Sequence, residues 1–148
     1  MATVGSDEKA EKAQKIGADE VILYKRDDFS KKVRKLTQAQ GADVIFDHTG
    51  QENWEKNILA LAKGGRLVTC GATSGAVVNL DLRFLFVRQL SVLGCYMGGF
   101  HELKKVLSLM EKGRLKPVVD KVFPLREADQ ALARMQSRGN FGKIVLTP

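Results

Sequence analysis

The chain has 148 residues, of which 44% are hydrophobic and 28% charged, with three prolines, two cysteines and one tryptophan. Those proportions suit a globular domain with a sizeable core and exclude a disordered segment or a disulfide-stapled mini-protein. The net charge of +7 is uneven: residues 1–56 hold 10 Lys/Arg against 11 Asp/Glu, and residues 57–148 hold 14 against 6. Aromatic residues do not interleave with the basic ones, as base stacking on a single strand would require. The basic half therefore reads as solvated faces or as attraction for an anionic small ligand, with no nucleic acid partner. No apolar run approaches the roughly 20 residues of a membrane span, and the opening lacks a charged-then-apolar leader, so the expectation is a cytoplasmic protein with no membrane contact. Cys70 and Cys95 lie far apart within apolar runs and are expected as buried free thiols.

Taken in chain order, Ala2-Thr3-Val4 is a short β-rich segment that stops at Gly5-Ser6. Ser6 is a candidate N-cap for a helix from Asp7 to about Lys15, with Asp7 and Glu8 where the helix dipole favours acids. Gly17 stops that helix, and Glu20–Tyr24, whose apolar run is continuous from Val21 and too short for a helix, reads as a buried strand. Asp27 and Asp28 precede a second helix, Phe29 to Ala39, in which Phe29, Val33 and Leu36 recur at helical spacing. Asp43–Asp47 reads as another buried strand, followed by the turn His48-Thr49-Gly50. A helix from about Asn53 to Ala62 turns Trp54, Ile58, Leu59 and Leu61 inward, and Gly64-Gly65 separates it from a strand at Arg66–Cys70.

The order up to this point is strictly alternating, strand then helix. Such alternation is the mark of the α/β class, a parallel sheet with crossover helices. A long glycine-containing connection and a short helix near Leu82–Val87 then lead to a strand at Ser91–Tyr96. A helix at about Phe100–Lys112, a short strand at Lys121–Phe123, a helix at Arg126–Ser137 and a last strand at Lys143–Thr147 complete the chain.

In open parallel sheets, ligands sit beyond the carboxyl ends of the strands. Here those ends are small, polar and glycine-rich: Gly5-Ser6, His48-Thr49-Gly50, Gly71-Ala72-Thr73-Ser74 and Met97-Gly98-Gly99. Glycines let a ligand approach the backbone, and exposed amides favour anionic groups; tight turns alone would also account for any single one of these loops. Four on one rim point to a nucleotide-type ligand. Lys9, three residues past Ser6, is placed to hold a phosphate on a ribose 2′ position, with Tyr24 as a candidate flank, although a solvated lysine and a packed tyrosine fit the same spacing. Asp47 and His48 are adjacent on an extended strand and point to opposite faces, so they make no direct acid/base couple. The sequence offers no catalytic residue, no metal-ligand spacing, no nucleophile elbow and no P-loop.

The runs Ala-Thr-Val-Gly-Ser-Asp-Glu-Lys-Ala (2–10), Gly-Ala-Asp-Glu-Val-Ile-Leu-Tyr (17–24), Gly-Ala-Asp-Val-Ile-Phe-Asp-His-Thr-Gly (41–50), Gly-Gly-Arg-Leu-Val-Thr-Cys-Gly (64–71), Arg-Gln-Leu-Ser-Val-Leu-Gly (88–94) and Asn-Phe-Gly-Lys-Ile-Val-Leu (140–146) follow one another along the chain. As a set they resemble the medium-chain dehydrogenase/reductase superfamily, nearest to its zinc-type alcohol dehydrogenase and quinone oxidoreductase branches. The resemblance implies residues 1–148 as a partial NAD(P)-binding Rossmann-like domain of an oxidoreductase that moves hydride to or from a carbonyl, quinone or activated alkene. By position it implies Ser6 and Lys9 at the adenosine ribose, with Lys9 and Tyr24 at a 2′-phosphate, which favours NADP(H) over NAD(H). It further implies Thr49, Gly50, Gly71, Ala72 and Thr73 along the cofactor, Tyr96 and Met97 near the nicotinamide, and Asn140 and Phe141 on a late loop touching it.

The departure from the family pattern is as specific as the match. The family's first strand, its glycine-rich turn and the preceding catalytic domain have no counterpart here, and zinc ligands, where members have them, belong to that missing domain. The implied sheet lacks its central strand, leaving two interior edges that must close up or recruit a strand. The resemblance also implies a homodimer through the unguarded edge at Ser91–Tyr96. A non-catalytic structural or dimerisation module, or a different α/β nucleotide binder such as a methyl-donor-binding domain, are the competing readings.

Overall fold

Every strand pairing in the computed structural model, which describes residues 1–148, is parallel. The α/β class expected from the alternation is therefore the observed one. The chain divides into two units, Met1–Met97 and Gly98–Pro148.

In the first unit the order is β1 (Ala2–Val4), α1 (Asp7–Lys15), β2 (Val21–Leu23), α2 (Phe29–Leu36), β3 (Ala42–Asp47), a 3-10 turn at Gln51–Asn53, α3 (Trp54–Ala60), β4 (Leu61–Thr69), α4 (Leu82–Arg88) and β5 (Ser91–Gly94). The strands form two separate sheets, β1-β2 and β3-β4-β5. β1 and β3 share no hydrogen bonds, so the two edges anticipated around the absent central strand have not closed up. Packing bridges the interval instead: Ile22 of β2, Phe29 and Val33 of α2, and Ala60 at the end of α3 form one buried cluster, with Ala42 and Ile45 of β3 against it. A second cluster joins Ile58, Leu61 and Leu67.

Caps set the helix starts. The Ser6 hydroxyl accepts from the Lys9 amide at 3.4 Å, and the Asp28 carboxylate accepts from the amides of Ser30 and Lys31, so of the two aspartates before α2 it is Asp28 that caps. Asp81 plays the same part for α4. Helix α2 ends at Leu36 rather than Ala39, because Gln38 and Ala39 turn to positive φ and the Thr37 hydroxyl draws the Gly41 amide back to 2.8 Å.

Helix α3 is also shorter than expected. The chain leaves it at Leu61, which pairs with Ala42 as the first residue of β4, and an irregularity then restores the register at Val44 and Arg66. Leu61 is thus buried as a strand residue, and Leu59, expected inward, is 39% exposed. What fixes this junction is a pair of arginines. Arg34 donates to the carbonyls of Leu59 (3.2 Å) and Leu61 (3.1 Å), and Arg88 donates to Ile58 (2.9 Å) and also to Leu61. Two guanidiniums thereby satisfy the orphan carbonyls at the helix carboxyl end, where the dipole favours cations. Burial, and secondarily the proximity of Arg34, pull the Arg88 pKa below its ordinary value.

The second unit comprises α5 (Phe100–Glu111), β6 (Val119–Pro124), a 3-10 turn at Leu125–Glu127, α6 (Ala128–Gln136) and β7 (Lys143–Thr147), with β6 and β7 paired in parallel. Asp120 is its polar anchor: its carboxylate accepts from Arg134 Nε (2.5 Å) and Nη2 (3.0 Å) and from the Phe141 amide (3.0 Å).

Candidate functional site

The carboxyl ends of β1 and β2 bring three of the expected residues together. Parallel pairing sets Val4 opposite Leu23, and the Tyr24 amide donates to the Val4 carbonyl at 3.2 Å, which carries the Tyr24 ring over the turn at Gly5. A Cβ on Gly5 would lie 2.8 Å from the Tyr24 hydroxyl, so a side chain there would push the Tyr24 ring from its place over the turn. Ser6 caps α1 from the same turn, and Lys9 sits in the first turn of that helix. Sequence reasoning missed Arg26, whose guanidinium bonds Asp7 in this same first turn at 2.9 Å. The signal available was the basic pair Lys25-Arg26 directly after a strand.

The loops after β3 and β4 are laced to each other. Asp47 is buried, and its Oδ2 accepts from the Gly50 amide at 2.8 Å, so this carboxylate is committed to shaping a turn. Gly50 has φ +85°, bridges Gly75, and would place a Cβ 2.6 Å from the Gly75 carbonyl oxygen; only glycine permits that approach. The Ser74 amide and hydroxyl both donate to the Thr49 carbonyl, at 2.8 and 2.7 Å, while the Thr73 hydroxyl donates to the His48 carbonyl at 3.4 Å. Thr49, Gly50, Gly71, Ala72 and Thr73 therefore belong to one small-residue ledge at the sheet's carboxyl edge.

Strand β5 stops at Gly94, two residues earlier than expected, because its last rung pairs Thr69 with Gly94. Tyr96 and Met97 consequently lie beyond the ladder and are 91% and 82% exposed. Cys70 and Cys95 directly follow the paired ends of β4 and β5, and both are free and exposed rather than buried, since strand ends at this rim have nothing packed over them. Asn140 and Phe141 belong to the second unit, where the Asn140 side chain donates to the Gly142 carbonyl at 2.9 Å and the Phe141 amide is held by Asp120.

No group of three or more His, Cys, Asp and Glu side chains is arranged to hold a metal ion. No helix is long and apolar enough to cross a membrane.

Comparison with known proteins decides the lineage. A family model described as zinc-binding dehydrogenase matches residues 16–146. The chain belongs to this family, within the medium-chain dehydrogenase/reductase superfamily. It is 35% identical over its whole length to 47% of the 2-haloacrylate reductase of a Burkholderia species. It superposes with a TM-score of 0.90 and 42% identity on 43% of a solved NAD-dependent alcohol dehydrogenase. A 2-octenoyl-CoA carboxylase reductase, CinF, solved with NADP and 2-octenoyl-CoA, matches at 26% identity and a TM-score of 0.87 over 37% of its length. The chain spans between 38% and 49% of the curated relatives it matches. The zinc of the family's description finds no fitting donor set in these residues, so no chemistry is routed through a metal here.

Proposed function

We propose that residues 1–148 are the cofactor-binding portion of an oxidoreductase that binds NADP(H) in preference to NAD(H). The observation that carries this reading is the convergence of Ser6, Lys9, Tyr24 and Arg26 around the Gly5 turn, at the carboxyl ends of two parallel strands. A hydroxyl, two cations and an aromatic face at one turn suit a phosphorylated ribose, because a 2′-phosphate takes charge-assisted hydrogen bonds that a free 2′-hydroxyl does not. The Thr49–Gly50 and Gly71–Thr73 ledge fits the rest of a dinucleotide lying along the rim, and exposed Tyr96 and Met97 suit its nicotinamide end; Asn140 and Phe141 are proposed as a late-loop contact from the second unit.

Bound nicotinamide supplies or accepts a hydride; the residues of this chain hold and orient it. The carbonyl, quinone or activated alkene that exchanges the hydride, any zinc, and the glycine-rich pyrophosphate turn are assigned to parts of the parent protein outside these residues. A homodimer through the β5 edge, Ser91–Gly94, belongs to the same reading: Val92 and Leu93 are 38% and 45% exposed there, and light scattering at the mass of one chain would remove it.

Titration of the chain with NADPH and with NADH, followed by nicotinamide fluorescence, tests the cofactor assignment. NADPH is expected to bind the more tightly, and Lys9→Ala to weaken NADPH about tenfold while sparing NADH, the loss of one hydrogen bond to a charged group. Absence of binding by either at millimolar concentration removes the assignment for this chain, and equal weakening of both removes the phosphate role of Lys9.

A further inference from the structure

Cys70 and Cys95, the two cysteines of the chain, are far apart in sequence, and both are free and exposed. The ladder between β4 and β5 brings them side by side. Its last rung pairs Thr69 with Gly94, and each cysteine is the next residue along its strand. Hydrogen bonding does not stop at that rung: the Cys70 amide donates to the Asp47 carbonyl at 3.0 Å, and the Cys95 amide donates to the Thr69 carbonyl at 2.9 Å. Both backbones are therefore still held by the sheet at the cysteines. Successive residues of a strand leave opposite faces and lateral partners leave the same face, so Cys70 and Cys95 share the face opposite Thr69. Adjacent strands lie about 4.8 Å apart, and a disulfide joins Cα atoms roughly 4.4–6.8 Å apart, a window that includes the spacing of the ladder. β5 is the edge of its sheet, with β4 on one side only, so the pairing lies within one chain and leaves the outer edge of β5 clear.

We propose that Cys70 and Cys95 form a dithiol site that reacts with small-molecule disulfides and closes to a reversible intrachain disulfide across the ends of β4 and β5. In the first step one cysteine sulfur gives up its proton and attacks a sulfur of an incoming disulfide such as oxidised glutathione. The glutathione S–S bond breaks, a mixed disulfide forms, and one glutathione leaves as the thiol with that proton. The second cysteine then attacks the protein sulfur of the mixed disulfide; the Cys70–Cys95 bond forms, and the second glutathione leaves with the second proton. The two cysteine sulfurs together lose two electrons, and the glutathione disulfide gains the same two. Exposure of both residues supplies the access that exchange requires, and an exposed bridge is of the labile kind that a thiol pool reopens. The closed form ties the Gly71–Thr73 ledge to the Tyr96–Met97 segment, the two stretches that leave the sheet at this rim. The inference concerns the thiols alone and stands whether or not NADPH binds.

The test exposes the reduced, full 148-residue chain to oxidised glutathione and digests it with trypsin without reduction. Cleavage after Arg66, Arg83, Arg88 and Lys104 leaves Cys70 and Cys95 on separate peptides. Mass spectrometry is expected to find those two peptides cross-linked, the link lost on adding dithiothreitol, and the intact chain lighter by two hydrogens. Cys70→Ser and Cys95→Ser are each expected to stop at a chain carrying one glutathione. Each is also expected to need at least about tenfold more oxidised glutathione for half-modification, because the neighbouring thiol no longer acts at its high effective concentration. Phenylarsine oxide, which spans two neighbouring thiols, is expected to block both on the unmodified reduced chain at one equivalent, which reads the pairing without any variant. Amide hydrogen exchange is expected to slow at Gly71–Thr73 and Tyr96–Met97 on bridging, with protection in β3, β4 and β5 retained. Two glutathiones on one chain without a bridge, bridges between chains as the main product, two arsenicals per chain, or a bridge that forms only in denaturant would each overturn the proposal. Unchanged exchange at both stretches in the bridged chain would overturn the tie between them.

Discussion

The two units share one chain and one pairing rule but bury their side chains very differently. In Met1–Met97 nine hydrophobic residues are buried, among them Ile22, Leu61 and Leu67 at 1% or less exposure, whereas Gly98–Pro148 buries only Phe123 and Ala131. Helix α5 has no buried residue, and Phe100, Leu103 and Leu107 are 73%, 51% and 48% exposed. The first unit is held by apolar clusters between layers, while the second leans on the Asp120–Arg134 pair. Hydropathy alone would have ranked them otherwise, since α5 is richer in apolar residues than α1 or α2; what matters is whether a second layer is present to cover them.

That contrast can be broken by substitution. Phe29→Ala opens a cavity in the cluster that ties the two sheets and is expected to lower the stability of the first unit by about 3–5 kcal/mol. Hydrogen exchange in β3 and β4 reads that loss, and an equal loss of protection in β6 and β7 would show that the units unfold as one. Asp120→Ala removes the carboxylate that holds both Arg134 and the Phe141 amide. It is expected to cost about 1.5–3 kcal/mol in the second unit, with the partly exposed arginine turning to water and limiting the damage; an unchanged melting profile would mean that some other contact supports that unit.

The smallest effect sharpens the comparison through pH. The Ser30 hydroxyl and the backbone amides of Ser30 and Lys31 hold the Asp28 carboxyl below its ordinary value of 3.8. Its folded pKa is the lower one, so its stabilisation is present above that ordinary value and is lost as pH falls through the folded value. Asp28→Ala is expected to cost about 1 kcal/mol at neutral pH and little in acid. A constant difference between the variant and the parent chain across that range would refute the capping role.

Much of the fold was legible in local chemistry. Ser6 and Asp28 announce their helices because a cap needs only neighbours two or three residues away, and the apolar runs at residues 21–24 and 44–46 mark strands, although the second, expected to be buried, leaves Val44 and Phe46 50% and 65% exposed on a face that nothing covers. Features resting on distant partners were not legible. Leu61 leaves its helix because Ala42 pairs with it and because Arg34 and Arg88, remote in sequence, claim its carbonyl. Cys70 and Cys95 looked buried in apolar runs and are exposed because strand ends face an uncovered rim. Ser6, Lys9 and Tyr24 could be listed from spacing and resemblance, but Arg26 emerged only when the Asp7 contact placed it.

The exclusively parallel pairing also governs how the chain reaches its fold. Ala2 must find Val21, Thr69 must find Gly94, and Val119 must find Lys143, so no ladder can begin as a tight hairpin and each closes a loop of about twenty residues or more. Loop-closure entropy is paid before any rung forms, which places such a chain among the slower-folding topologies. During that interval the apolar strands are unpaired, and the yield of native protein becomes a contest between crossover closure and intermolecular association that dilution, rather than added denaturant, would tilt toward the fold.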